Sequence, residues 1–151
     1  MLDIVNDIKF VPSLFSQEIA TDTTTVGAII DLMGYGDVAV YLEGVITDGT
    51  YTPVIHTGDN SALSDAALVA DGAIKPFYNG TSYIETAQEA GAALATTQTS
   101  SVLGLKRDQL QRYLRISLTS ASTSTGAVVS ASVLREALTK SAQGFAVDTL
   151  A

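Results

Sequence analysis

The chain contains no cysteine and no tryptophan, and charged residues are scarce. Without cysteine it can have no disulfide framework, no thiolate nucleophile and no cysteine-based metal site. Only 16% of the residues are charged, whereas 46% are hydrophobic, and the mean hydropathy is +0.28. Two interpretations fit this composition: a surface partly hidden in an assembly, or a β protein rich in Ala, Thr and Ser.

Positive charge is the scarcest kind. Eight Lys and Arg stand against sixteen Asp and Glu, which gives a net charge of −8. Because binding to a phosphate backbone depends on Lys and Arg, nucleic acid is not an expected partner. No run approaches the ~20 apolar residues of a membrane span, and the first residues, MLDIVNDIKF, do not form a signal peptide. We therefore expect a protein that is made in a cytoplasm and is not inserted in a membrane.

Turn signals recur at short intervals along the 151 residues, and the segments between them are rich in Val, Ile, Thr and Tyr. This rhythm predicts a single all-β domain, an antiparallel two-sheet β-sandwich of jelly-roll or Ig-like type. We expect residues 1–20 to be an N-terminal arm or first strand. Residues 21–134 would form the sandwich, with a long excursion at 73–100, and residues 135–151 would be a C-terminal extension.

Alternation of apolar and polar residues predicts which side chains face the core. Pro53 removes a backbone donor, so its strand is expected at an edge or a bulge. The predicted core residues are Val38, Val40, Leu42, Ile55, Leu114, Ile116, Leu118, Val129 and Val133.

The turns predict two hairpins, one at "TDGT" (47–50) and one across "STSTG" (122–126). Helical patterns are weaker. Short helical pieces are expected in "LSDAALVAD" (63–71), in residues 85–95 and in residues 134–144.

The only histidine, His56, is followed by Ser61 and Asp65, which raises the question of a hydrolase. Nucleophilic catalysis needs a serine held against a base that a third group orients. The G-x-S-x-G elbow is missing, however, and a histidine at the end of an edge strand is commonplace. We therefore predict no catalytic residues, no bound cofactor and no enzyme activity.

The same stretch could be a calcium loop, since "DNSALSD" (59–65) supplies several oxygen ligands. It lacks the D-x-[DN]-x-[DN]-G spacing. Asp and Asn are also favoured in turns, where their side chains bond the local backbone. We interpret the stretch as a turn and predict no metal site.

One basic cluster stands out, "LKRDQLQRYLR" at 105–115. It fits either a solvated entrance to a strand, with Arg stems covering apolar neighbours, or a contact with an acidic partner. Lys106, Arg107 and Arg112 are therefore candidate partner contacts.

Taken in order, several stretches resemble a family of small structural proteins of tailed bacteriophages. The stretches are "DLMGYGDVAVYLEGVITDGTYTPVIHTGDNSALSDAALVADG" and "GLKRDQLQRYLRISLTSASTSTGAVVSASVL", which lie within roughly residues 21–134. Residues 73–100 are longer than the family's usual link, and residues 135–151 extend past its usual end.

The resemblance implies a virion structural protein, a decoration or cement protein on the outer head surface that is assembled in the host cytoplasm. Its partners would be the major capsid protein and neighbouring copies of itself, as a homo-oligomer on the particle. Two alternatives remain open: a neck or tail component, and a carbohydrate-binding β module. The second would normally use exposed aromatic residues, and this chain has no Trp, six Tyr and four Phe.

Both ends carry apolar residues in otherwise featureless segments, "MLDIVNDIKFVPSLF" and "GFAVDTLA". Terminal segments that nothing holds are normally polar. The ends either fold back on the sandwich or act as arms on a neighbour. The candidate contacts here are Phe10, Leu14, Phe15, Phe145, Val147 and Leu150.

Overall fold

The computed structural model describes residues 7–75, 77–78, 83–84 and 93–137, and its regular structure there is ten strands and two short 3-10 turns. The 3-10 turns are Asp71–Ala73 and Arg107–Gln109. The strands are β1 (Ile8–Ile19), β2 (Thr24–Asp31), β3 (Tyr35–Ile46), β4 (Thr50–Gly58), β5 (Ala67–Leu68), β6 (Phe77–Tyr78), β7 (Tyr83–Ile84), β8 (Ser100–Leu105), β9 (Tyr113–Ala121) and β10 (Ala127–Ala137).

Eight of the strands form two four-stranded antiparallel sheets. Sheet A has the order β1-β10-β3-β8, sheet B has the order β2-β9-β4-β5, and β6 and β7 pair separately. The predicted all-β, two-sheet sandwich is confirmed.

The strand connections decide between the two sandwich types. β1 pairs with β10, β2 with β9, β3 with β8, and β4 with β5, all antiparallel. The chain is thus one long folded hairpin whose tip lies between β4 and β5. It is rolled up so that β10 also reaches β3 and β9 also reaches β4. This is jelly-roll connectivity rather than an Ig-like arrangement: apart from β4 and β5, which pair at the tip of the hairpin, the consecutive strands of the two sheets alternate between them.

The core lies between the sheets, and every predicted core residue is in it. All nine are at most 2% exposed. Alternation sufficed here because each of these strands buries one face and exposes the other.

The two predicted hairpins are wrong. The 47–50 turn joins β3 of sheet A to β4 of sheet B, and the 122–126 turn joins β9 of sheet B to β10 of sheet A. The turn chemistry itself is as expected, with Gly49 at φ +83° and Gly126 at φ +95°. Turn residues specify the local reversal but not which sheet the next strand joins.

Asp48 ties these two turns together at one end of the sandwich. Its carboxylate accepts hydrogen bonds from the backbone amides of Gly126 at 2.7 Å and Thr125 at 2.8 Å, and from the Ser124 hydroxyl. The Ser124 hydrogen bond and these amides hold the pKa of Asp48 well below its ordinary value.

The predicted helical pieces are wrong wherever the structure describes them. Residues 67–68 form β5, residues 71–73 form a 3-10 turn, and β10 continues through 134–137. Pairing with β1 and β3 overrides the helix-forming residues of "LREA". Residues 85–92 and 138–144 lie outside the described residues.

β1 and β2 are edge strands of the two different sheets, and the side chain of Ser13 connects them. The Ser13 hydroxyl of β1 donates to the Ala28 carbonyl at 2.8 Å and accepts from the Ile116 amide at 3.2 Å. Gly27 makes room for it: a Cβ there would lie 2.6 Å from the Ser13 Oγ and 2.2 Å from the Ile116 carbonyl oxygen. Segment 8–19 is therefore an integral first strand.

Candidate interaction face

The outward side of sheet A, the A face, exposes apolar side chains on all four strands. They are Phe10 on β1, Val45 on β3, Val102 on β8 and Val128 on β10, with 45–76% of each side chain accessible. Val45 lies opposite Val128. Because these exposed apolar residues share one sheet face, the A face is the candidate binding surface.

The strand register arranges this face in rows. Phe10, Leu134 and Ala39 form one row across β1, β10 and β3. Tyr41 and Val102 form part of the next row. A polar row of Ser130, Glu43 and Ser100 separates these from the Val45–Val128 pair.

Two shallow depressions lie at opposite ends of the A face. One, of about 400 Å³, is lined by Val45, Val128 and the polar residues around them, including Glu43 and Thr99. The other, of about 310 Å³, lies at the end where β1 begins and β10 ends. We call this second depression the end groove.

The charges of the A face are mainly acidic. Its carboxylates are Glu18, Asp37, Glu43 and Glu136. Lys75 forms an ion pair with Asp37, with 3.1 Å between Nζ and Oδ1. The Tyr41 hydroxyl donates to Glu43 at 3.0 Å, and this hydrogen bond raises the pKa of Tyr41. A partner with apolar and basic groups would fit this face.

The outward side of sheet B, the B face, is different. Thr24, Thr119 and Thr52 form a row across β2, β9 and β4. The Thr24 and Thr119 hydroxyls are 3.1 Å apart. Val26 and Leu68 are the large apolar side chains exposed on this face among the described residues.

His56 lies on the B face between Arg115 of β9 and Leu68 of β5. Partial burial, and secondarily the positive charge of Arg115, lower the pKa of His56. Its Nδ1 is buried and has no hydrogen-bond partner. A cation beside the imidazole disfavours its protonated form, whereas a catalytic base is normally oriented by a carboxylate.

Asp65 acts within the turn that follows β4. Its carboxylate accepts the backbone amides of Asp59 at 2.8 Å and Asn60 at 3.1 Å. The Asp59 amide lowers the pKa of Asp65 most strongly. In turn, the Asn60 side chain accepts the Ala62 amide. The Asp65 and Asn60 side-chain oxygens are thus engaged with local backbone, as a turn requires. The described residues contain no group of three His, Cys, Asp or Glu placed to bind a metal.

Of the N-terminal candidate contacts, Phe10 and Phe15 are exposed, at 59% and 68%. Leu14 is 1% exposed and belongs to the core, which corrects its prediction as a partner contact. Register shifts on both sides of Leu14 interrupt the alternation of β1, so that Ser13 and Leu14 are both buried.

Two of the three basic candidates, Arg107 and Arg112, have side-chain hydrogen bonds within the chain. Arg112 makes a bidentate contact with the Asp31 carboxylate, at 2.9 and 3.1 Å, and this hydrogen bonding lowers the pKa of Asp31. Arg107 donates to the Leu110 carbonyl at 3.1 Å. Lys106 precedes the 3-10 turn, and its amide bonds the Ala73 carbonyl. These contacts favour the interpretation of the basic cluster as a solvated entrance to a strand over its interpretation as a contact with an acidic partner.

Phe145, Val147 and Leu150 lie outside the described residues. Sequence reasoning missed Val45, Val102 and Val128. Val45 lies three positions after Leu42, which was predicted to face the core, so the alternation of β3 places Val45 on the outward side and could have found it. Val102 belongs to a strand that the sequence analysis did not predict.

Comparisons with known proteins place the chain in no family. No family model matches it, and no curated protein matches it. The SPBc2 prophage-derived protein YomS has 8% identity and a TM-score of 0.48, with 88% of this chain and 99% of that chain covered. The structure of infectious bursal disease virus Gx strain has 8% identity and a TM-score of 0.43, with 86% of this chain and 32% of that chain covered. At these scores no property of either protein is transferred to this chain.

Within the described residues, no helix has the length and apolar character to cross a membrane.

Proposed function

We propose that this protein is a virion structural protein of a tailed bacteriophage that decorates the outer surface of the head. The observation that carries the proposal is the A face, where Phe10, Val45, Val102 and Val128 are exposed on one side of a four-stranded sheet. An apolar face of this kind is costly to leave in water and is stabilised by a partner.

Two further features support the proposal. The order of motifs resembles a phage structural family, and the jelly roll recurs in viral capsid domains. Because one fold serves many functions, the fold raises the expectation without establishing it. No residue is assigned a catalytic role, since His56 faces Arg115 and Asp65 bonds the turn backbone.

The partners in this proposal are the major capsid protein and neighbouring copies of the same chain, on particles assembled in the host cytoplasm. A stable contact buries about 800 Å² on each partner. Many symmetric contacts then multiply a modest affinity through avidity. Acidic residues around the apolar rows would select a site of opposite charge and disfavour wrong partners.

The test is the copy number on purified particles, measured by gel densitometry or quantitative mass spectrometry against the major capsid protein. A decoration protein occupies a lattice site and is present in hundreds of copies, whereas a neck or tail component forms a closed ring of about a dozen. About a dozen copies would contradict decoration of the head and favour a neck or tail component instead. Its absence from particles would refute the proposal.

A further inference from the structure

The end groove is an apolar site at the place where both ends of the described chain leave the sandwich. Ile8 begins β1 and pairs with Glu136, one residue before β10 ends at Ala137. The apolar lining is formed by Ile8, Val38, Ala39, Gly104 and Leu134. At about 310 Å³ it lies at the small end of protein binding pockets, which run from roughly 300 to 1,000 Å³. That size suits a few side chains of an extended segment.

The charged groups around the end groove already have partners. Lys75 pairs with Asp37, and the Asp37 amide donates to Glu136 at 3.4 Å. The Arg135 guanidinium lies 3.9 Å from the centre of the Tyr35 ring and donates to the Asp31 carbonyl. Since each of these groups already has at least one partner within the chain and much of the lining is apolar, the groove offers an incoming segment mainly apolar contact.

The sequence contains a segment of that kind. Residues 144–151 read GFAVDTLA, with Phe145, Val147 and Leu150 as apolar residues and Asp148 as the one charged side chain. A fully extended chain from residue 137 to residue 144 would span about 23 Å. The segment could therefore reach a groove that lies within that distance on a neighbouring copy.

We propose that the end groove binds residues 144–151 of a second copy of this chain. β10 passes the groove at Leu134–Glu136 before it ends, so a chain's own segment would have to reverse direction within the linker to reach its groove. A symmetric contact between two A faces is disfavoured, because it would bring acidic faces together. A segment entering a groove is instead a head-to-tail contact, which repeats around a ring or lattice. The proposal rests on the proposed function for its setting, because there copies stand side by side on the particle.

The test uses the purified full chain and two variants. Phe145→Asp disables the segment, and Ala39→Asp, on the outward side of β3, disables the groove. Thr52→Asp on the B face is the matched control. In sedimentation velocity, the wild-type chain and Thr52→Asp should self-associate as concentration rises, and each groove or segment variant should associate at least tenfold more weakly. Melting temperatures near that of Thr52→Asp would show that both variants fold.

Mixing the two variants gives the sharpest result. The Ala39→Asp copy keeps its segment and the Phe145→Asp copy keeps its groove, so an equimolar mixture should form a dimer that neither forms alone. A monomeric mixture, together with a lower melting temperature in both variants, would mean that the segment binds its own groove and would overturn the proposal. A wild-type chain that stays monomeric and yet attaches to heads would overturn it too, while leaving the proposed function intact.

Discussion

The two outer faces of the sandwich are built from the same kind of strand but differ in what they expose. The A face presents Phe10, Val45, Val102 and Val128 among carboxylates. The B face presents one row of threonines, the pair of His56 and Arg115, and two exposed apolar residues, Val26 and Leu68. Both faces rest on one core. The difference therefore lies in surface chemistry, and it is the reason why we propose that a partner covers the A face.

The largest effect is expected in the shared core, on which the comparison of faces depends. Ile116 lies in the middle of β9 and is fully buried. Ile116→Ala should lower the free energy of unfolding by about 2–5 kcal/mol through lost burial and a cavity, measured by denaturant titration. Val26→Ala on the B face is the control and should change it by less than about 0.5 kcal/mol. Equal effects would mean that the inward and outward faces of sheet B are misassigned.

The next largest loss of stability is expected when the hydrogen bonds of Ser13, which connect the two sheets, are removed. Ser13→Ala leaves the Ile116 amide and the Ala28 carbonyl without their partner. The Ile116 amide is buried, and a buried backbone group left without a partner costs about 1–3 kcal/mol. Ser16→Ala, at an exposed position of the same strand, should be nearly neutral. If both serines behave alike in thermal unfolding, Ser13 does not connect the two sheets.

Asp48 should make stability depend on pH. Its pKa is lowered in the folded protein by Ser124 and the following amides. The stabilisation is therefore fully present above the unfolded pKa of about 3.9. It is lost as the pH falls below that value towards the folded pKa. In Asp48→Asn this part of the pH dependence should disappear, and the neutral-pH melting temperature should fall. If the wild type and Asp48→Asn lost the same stability between pH 5 and pH 2, the hydrogen bonds of Asp48 would contribute nothing to folding.

The smallest effect is expected on the B face. His56→Ala should change the free energy of unfolding by less than about 0.5 kcal/mol, since the imidazole is only partly buried and its Nδ1 has no partner. Head attachment should be unaffected. If attachment were lost instead, the B face would take part in binding and the contrast between the faces would fail.

Alternation in β3, β4, β9 and β10 predicted the two-sheet class and the core, because those strands bury one side only. The connectivity was not predictable from the turns, since Gly49 and Gly126 turn the chain without specifying a sheet. Leu14 was misassigned because register shifts break the alternation of β1. Arg112 looked available in the sequence, but its partner Asp31 is 81 residues away, so only the folded chain shows that its charge is engaged.

The central claim, that the A face contacts the head, is tested most directly by one matched pair of variants. Val45→Asp and Val26→Asp each place a carboxylate at an exposed valine in a strand, on the A face and the B face respectively. Aspartate is a poor strand former, at a cost of up to about 1 kcal/mol, and this cost is similar in both. The measurement is binding to heads that lack the protein, followed by co-sedimentation. Val45→Asp should lose binding, because burying an unpaired charge at the contact is unfavourable. Val26→Asp should retain binding. Retained binding in Val45→Asp with loss in Val26→Asp would contradict the account.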